Sequence, residues 1–222
     1  MEMNTDRNRN RRVTGFQSRW VVGVDLGQRK DYSAIAALEV RDTVYDERNP
    51  VTMDFARERT FRVRGIERVR LGTAYPDVVQ RVRDVVNLPE IQTRCTLVVD
   101  ATGVGTPVVE LLKATRPGCQ IVPVMITGGF EEGHAGSTYR VPKRDLITGL
   151  QAVVEQRRLE IARHSRAGRE LIAELNAMRM SVSGFGRERF EAEGSRVHDD
   201  LVLAVSLAWW WVRRQGAEQL LG

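Results

Sequence analysis

The chain has 222 residues, enough for one domain with a buried core, and 42% of them are hydrophobic, which excludes a disordered chain. Lysine and arginine number 34 against 29 acidic residues, a net charge of +5 that favours a polyanionic partner, nucleic acid before membrane. Two cysteines, Cys95 and Cys119, are too few and too widely spaced for a zinc ribbon or a disulfide framework, and reduced, half-buried thiols are expected. No apolar segment opens the chain, so no secretory leader is expected. The longest apolar run, 201–212, is broken by Ser206 and falls short of the roughly 18–20 residues that span a bilayer.

Residues 1–17 carry Arg7, Arg9, Arg11 and Arg12 without apolar periodicity and are expected to form a disordered basic arm, with one folded domain over 18–222. Residues 20–25, WVVGVD, have the β-branched content of a strand. A short polar turn separates them from a second strand over 32–40, so the two should be antiparallel. After a loop at 41–50, a third strand is expected over 51–65, where Arg62 and Arg64 alternate with Phe61 and Val63. Helical spacing follows at Val78, Val79, Val82, Val85 and Val86. A buried strand, 94–100, leads into the glycine-rich turn ATGVGT and a helix over 107–114, with Thr106 as N-cap and Pro107 in its first turn. The next apolar strand, 120–126, completes a strand–helix–parallel-strand unit.

Residues 127–139 are expected to form a loop or flap, and 142–156 a helix with Leu146, Leu150, Val153 and Val154 on one face. A short strand at 159–162, a helix over 167–178 and two short strands within 180–193, around Gly184-Phe-Gly186, come next. A buried helix then runs from about His198 to Arg214. Its consecutive Trp209, Trp210 and Trp211 point about 100° apart, and core packing is expected for them, with room for one on the surface.

Three acidic features occupy the ends of apolar elements: Asp25 ends the first strand, Asp100 the fourth, and Asp199 and Asp200 open the last helix. If the first and fourth strands are neighbours, both carboxylates leave the sheet at one edge, where the last helix can bring its first turn. Such carboxylates repel one another at low dielectric unless a cation joins them. Oxygen donors suit magnesium or manganese, and two such ions clamp the attacking and leaving oxygens of a phosphodiester. Singly, each aspartate could be a turn former or a helix cap. Their joint placement at element ends favours a metal site.

The stretches VVGVDLGQRKDYSAIAAL, TLVVDATGVGTPVVELL, VPKRDLITGLQAVVEQRRLEIA and HDDLVLAVSLAWW, in this order, resemble the C-terminal nuclease domain of phage large terminase subunits. DATGVG and the HDD helix start are its specific parts. The resemblance implies an α/β, ribonuclease H-like mixed sheet: three antiparallel strands continued by parallel ones, with helices on both faces. It implies a two-metal-ion endodeoxyribonuclease using magnesium or manganese. By position, Asp25, Asp100 and Asp200 match its catalytic acids, and all three with Asp199 its metal ligands. Lys143 and Arg144, in VPKRDL, are candidate DNA contacts.

The implied substrate is double-stranded concatemeric viral DNA, cut during genome packaging in the cytoplasm of a phage-infected or prophage-carrying bacterium. The implied partners are a packaging ATPase, the phage portal and the small terminase, with no membrane. The chain has no G-x-x-x-x-G-K-[ST] loop, so the motor is expected to be a separate chain or a part from which this domain was excised. A Holliday-junction resolvase shares the fold class, but VPKRDL and DATGVG argue against it. An actin-like or sugar-kinase-like protein would explain VGVDLG, but it needs two subdomains around ATP and leaves HDD unexplained. A non-catalytic packaging module stays open as an alternative, with the intact Asp25, Asp100 and Asp200 speaking against it.

Overall fold

The computed structural model describes residues 11–27, 31–103, 105–162, 164–183 and 198–221, without the side chains of 179–183 and 217–221. Its elements run β1 (Val13–Asp25), β2 (Ala34–Arg48), β3 (Phe55–Arg68), α1 (Tyr75–Val86), β4 (Cys95–Asp100), α2 (Gly105–Ala114) and β5 (Gln120–Thr127). They continue with β6 (Gly133–Ala135), β7 (Thr138–Pro142), α3 (Lys143–Glu155), β8 (Leu159–Ile161), α4 (Arg166–Ser183) and α5 (Asp200–Leu221). The strands form one eight-stranded sheet in the order β6-β7-β5-β4-β1-β2-β3-β8. β1, β2 and β3 are antiparallel, while β4, β5 and β7 extend the sheet from β1 in parallel. The first and fourth strands are neighbours, as expected.

Strand alternation divides the core in two. Trp20, Val22 and Val24 of β1 point to the side covered by Val78, Val79 and Val82 of α1 and Val108, Val109 and Leu112 of α2. Val21, Val98 of β4 and Val122 of β5 point to the other side, under α3, α4 and α5. Residues 201–212 of α5 are all buried, as an apolar sequence without a polar face requires. All three tryptophans pack inward, none taking a surface position. No helix among the described residues is long and apolar enough to cross a membrane.

Several boundaries move. β1 begins at Val13, so residues 13–17 of the expected arm are strand, while residues 1–10 lie outside the described residues. The expected loop at 41–50 is mostly β2, which pairs Thr43 with Phe16 and with Glu58. These extensions are mostly exposed or only partly buried, so their residues do not show the apolar alternation of a strand with one covered face. The reversal falls at residues 49–54, where the Asn49 carboxamide oxygen accepts the Val51 and Thr52 amides at 2.8 and 3.2 Å. Within the expected flap, β6 and β7 form a hairpin that extends the sheet edge. Residues 180–183 continue α4, and the rest of the expected GFG hairpin lies outside the described residues. α2 starts at Gly105, so Thr106 is inside the helix, 3.4 Å from the Ala101 carbonyl that it donates to, and is not the N-cap. Cys95 and Cys119 are free thiols, but pairing of Thr96 with Gln120 makes them cross-strand neighbours joined by a hydrogen bond.

Candidate active site

The carboxylates come together through two registers. Val24 of β1 pairs with Val99 of β4 in parallel, so Asp25 and Asp100 end adjacent strands at the same level. Both alternate with residues that face α1 and α2, so both project to the opposite side, where α5 lies.

The second register sets α5 against β1. A Cβ on Gly23 would stand 1.9 Å from the Ala204 carbonyl oxygen, so only glycine permits the helix to lie this close. Arg19 reaches Gln215 at the other end of the contact, so helix and strand run in opposite directions. From Gly23, two strand residues advance about 6.6 Å to Asp25. From Ala204, four helical residues retreat about 6 Å to Asp200. The steps match, and the first turn of α5 arrives at the strand end.

Asp25, Asp100 and Asp200 are buried, at 7%, 8% and 5% exposure. Burial, then Asp100, Asp200 and Asp199, push the Asp25 carboxyl well above its ordinary range, and Lys143 opposes them. Among the described residues nothing donates a hydrogen bond to it. Asp100 is also raised by burial, against the hydrogen bonds from Thr102 and the charge of Lys143. Its Oδ1 accepts the Thr102 amide at 2.8 Å, the turn-forming role that the sequence allowed it. Burial lifts Asp200 to about 6, with Arg68 opposing and Asp199 adding to the rise. Its Oδ2 is buried without a hydrogen-bond partner, 3.5 Å from Arg68 Nε and 3.7 Å from His198 Nδ1.

Asp199 turns elsewhere. Its carbonyl accepts the Leu203 amide at 2.8 Å, so it occupies the cap position of α5, while its side chain pairs with Lys143 at 2.6 Å. The side-chain cap comes instead from α4, where Glu174 accepts the Val202 amide at 3.1 Å. Glu174 is also ion-paired with Arg68, and burial lifts it to about 7.

The sequence reading missed Arg68 and Glu174. Glu174 stands among the buried Leu171 and Leu175 of α4, and an acid inside an apolar stripe is the signal it left. Arg68 left none, because the third strand was expected to end at Gly65. The carboxylates therefore have compensating cations, Lys143 and Arg68. Of the candidate DNA contacts, Lys143 is brought to the carboxylates. Arg144 has its guanidinium 5.0 Å from the Phe130 ring and 3.6 Å from Asp145.

Among the described residues, no three His, Cys, Asp or Glu side chains stand close enough together to hold one metal ion. The arrangement is an open group of oxygen donors with an unsatisfied buried carboxylate oxygen.

The family model described as the terminase RNaseH-like domain matches residues 75–209. No curated protein matches the chain. The chain is similar in fold to the large terminase nuclease from thermophilic phage G20c, with a TM-score of 0.51 and 20% identity over 87% of this chain and 82% of that one. A crystal structure of that nuclease with bound zinc aligns with a TM-score of 0.49 and 20% identity, over 87% and 81% of the two chains. The eight-stranded mixed sheet with helices on both faces is thus the ribonuclease H-like fold.

Proposed function

Because the chain belongs to the terminase RNaseH-like domain family, and because three buried aspartates converge at one sheet edge, we propose that it is a metal-dependent endonuclease. Its substrate is double-stranded concatemeric viral DNA, whose phosphodiesters it hydrolyses during genome packaging. The observation that carries this reading is Asp25: buried, without a hydrogen-bond donor among the described residues, and facing Asp100, Asp200 and Asp199. Only Lys143 opposes burial and three like charges at this carboxylate, so its ionised form calls for further positive charge.

Asp25, Asp100 and Asp200, with Asp199 beside them, are the residues that would hold two divalent cations. Magnesium or manganese fits the open oxygen set, since such ions keep several waters and take few protein carboxylates. When bound, they would lower the pKa of water, making it a nucleophile, and stabilise charge on the leaving oxygen.

The protein's own part is positioning. The strand ends hold Asp25 and Asp100 level, and Glu174 and Arg68 hold the first turn of α5, and with it Asp200. Lys143 offsets negative charge by pairing with Asp199 and offers an ammonium to an incoming phosphate. The reading places the domain with a packaging ATPase, the portal and the small terminase, in the cytoplasm of an infected or prophage-carrying bacterium.

The test is a plasmid-nicking assay with and without manganese, on wild type and Asp25→Ala. Manganese-dependent nicking by wild type alone is the expected result. Nicking that survives the substitution sinks the site assignment.

A further inference from the structure

The geometry points to a stacking subsite for an unpaired base at Phe130, on the segment that leaves the sheet where Thr127 pairs with Pro142, the residue before Lys143, an inference that rests on the nuclease reading. Phe130 is 71% exposed, the highest value among the described aromatic residues. It follows Gly128 and Gly129 in the segment between β5 and β6, where a Cβ at Gly128 would meet nothing within 4 Å.

The ring is held in place on one side and presented on the other. Two residues on, Glu132 accepts a hydrogen bond from Trp210 Nε1 at 3.0 Å and pairs with Arg213 at 3.3 Å, tying the segment to the buried helix α5. The Arg144 guanidinium lies 5.0 Å from the ring centroid. Arg144 is the residue after Lys143, whose ammonium faces the acidic group at 2.6 Å from Asp199. The aromatic face and its guanidinium thus belong to a segment that leaves the sheet where Thr127 pairs with Pro142, the residue before Lys143, the cation that would meet a phosphate.

This is the pairing used for single-stranded nucleic acid: a cation for the phosphate and an aromatic face for the base, without regard to sequence. A paired duplex hides its base faces, so the ring can stack only on a base that has left its helix. The ligand class is therefore DNA with an unpaired base near the phosphate to be cut.

The experiment measures binding in EDTA, so that cleavage plays no part. The probes are a fluorescent duplex with one unpaired 2-aminopurine and the same duplex fully paired. Wild type should prefer the unpaired probe by about tenfold, within the range of base–aromatic stacking, and quench its fluorescence. Phe130→Ala should lose both the preference and the quenching, and Phe130→Trp should keep them. Phe16→Ala is the control: Phe16 is 64% exposed and stacked on Arg41 at 4.7 Å, but it lies near the opposite end of β1 from Asp25. It should behave as wild type. Melting curves confirm that each variant folds. Preference retained by Phe130→Ala, or lost equally by Phe16→Ala, overturns the subsite. Wild type that binds DNA without preference also overturns it and leaves the nuclease reading standing. Failure to bind either probe sinks both.

Discussion

Asp25 concentrates the electrostatic tension of the molecule. Burial disfavours its charge and three other aspartates add to the penalty. Asp25→Asn keeps the volume and removes the charge. It should abolish nicking while holding or raising the metal-free melting temperature; each ~1 kcal/mol of relieved repulsion corresponds to roughly 2–4 °C for a chain of this size. A simple turn-former would show a lower melting temperature, so thermal melts of the two proteins separate the roles. Acidity gives a second expectation. Asp200 and Glu174 are lifted from the ordinary 3.8 and 4.5 to about 6 and about 7. Between those limits the folded state binds more protons than the unfolded one, so these groups make stability fall as pH rises from about 4 to about 7. Melts in EDTA should be higher at pH 5 than at pH 8, and the double variant Asp200→Asn, Glu174→Gln should flatten the dependence. A profile as steep in the double variant would show that other groups carry it.

At the scale of elements, the decisive contact is α5 on β1 across Gly23. Gly23→Ala puts a methyl 1.9 Å from the Ala204 carbonyl oxygen, which must move. Overpacking of this kind costs typically 1–3 kcal/mol or more, and here it displaces the helix that carries Asp200. Gly15→Ala is the matched control in the same strand, with nothing within 4 Å of the added methyl. Urea unfolding should give a clear loss for Gly23→Ala and a change within about 0.5 kcal/mol for Gly15→Ala. Equal effects would mean that strand propensity rather than close approach sets the value of Gly23. The cap of α5 is equally a matter between elements, because the acid that satisfies the Val202 amide comes from α4, not from the HDD sequence itself.

At the scale of the whole molecule, the proposed metal site would link metal binding to folding. The buried acids converge only when β1, β4 and α5 are assembled, so the unfolded chain offers no equivalent site. A divalent ion at a hundredfold excess over its dissociation constant should stabilise the protein by about 2.7 kcal/mol. Thermal melts with increasing manganese should rise accordingly, and the shift should shrink in Asp25→Asn. An undiminished shift in that variant would place the ion elsewhere.

The sequence by itself determined most elements, because apolar runs and helical spacing report burial directly. It determined which acids stand at element ends, since Asp25, Asp100 and Asp200 each close or open an apolar segment. It did not disclose the bare extensions of β1, β2 and β3, whose residues lack a buried face to impose alternation. Only the tertiary structure decided that Gly23 sets the depth of α5, that Glu174 caps it, and that Arg68 and Lys143 stand among the carboxylates. The reason is distance along the chain. Glu174 lies 106 positions from Arg68 and 28 from Val202, and local propensity carries no information about which side chains meet across such separations.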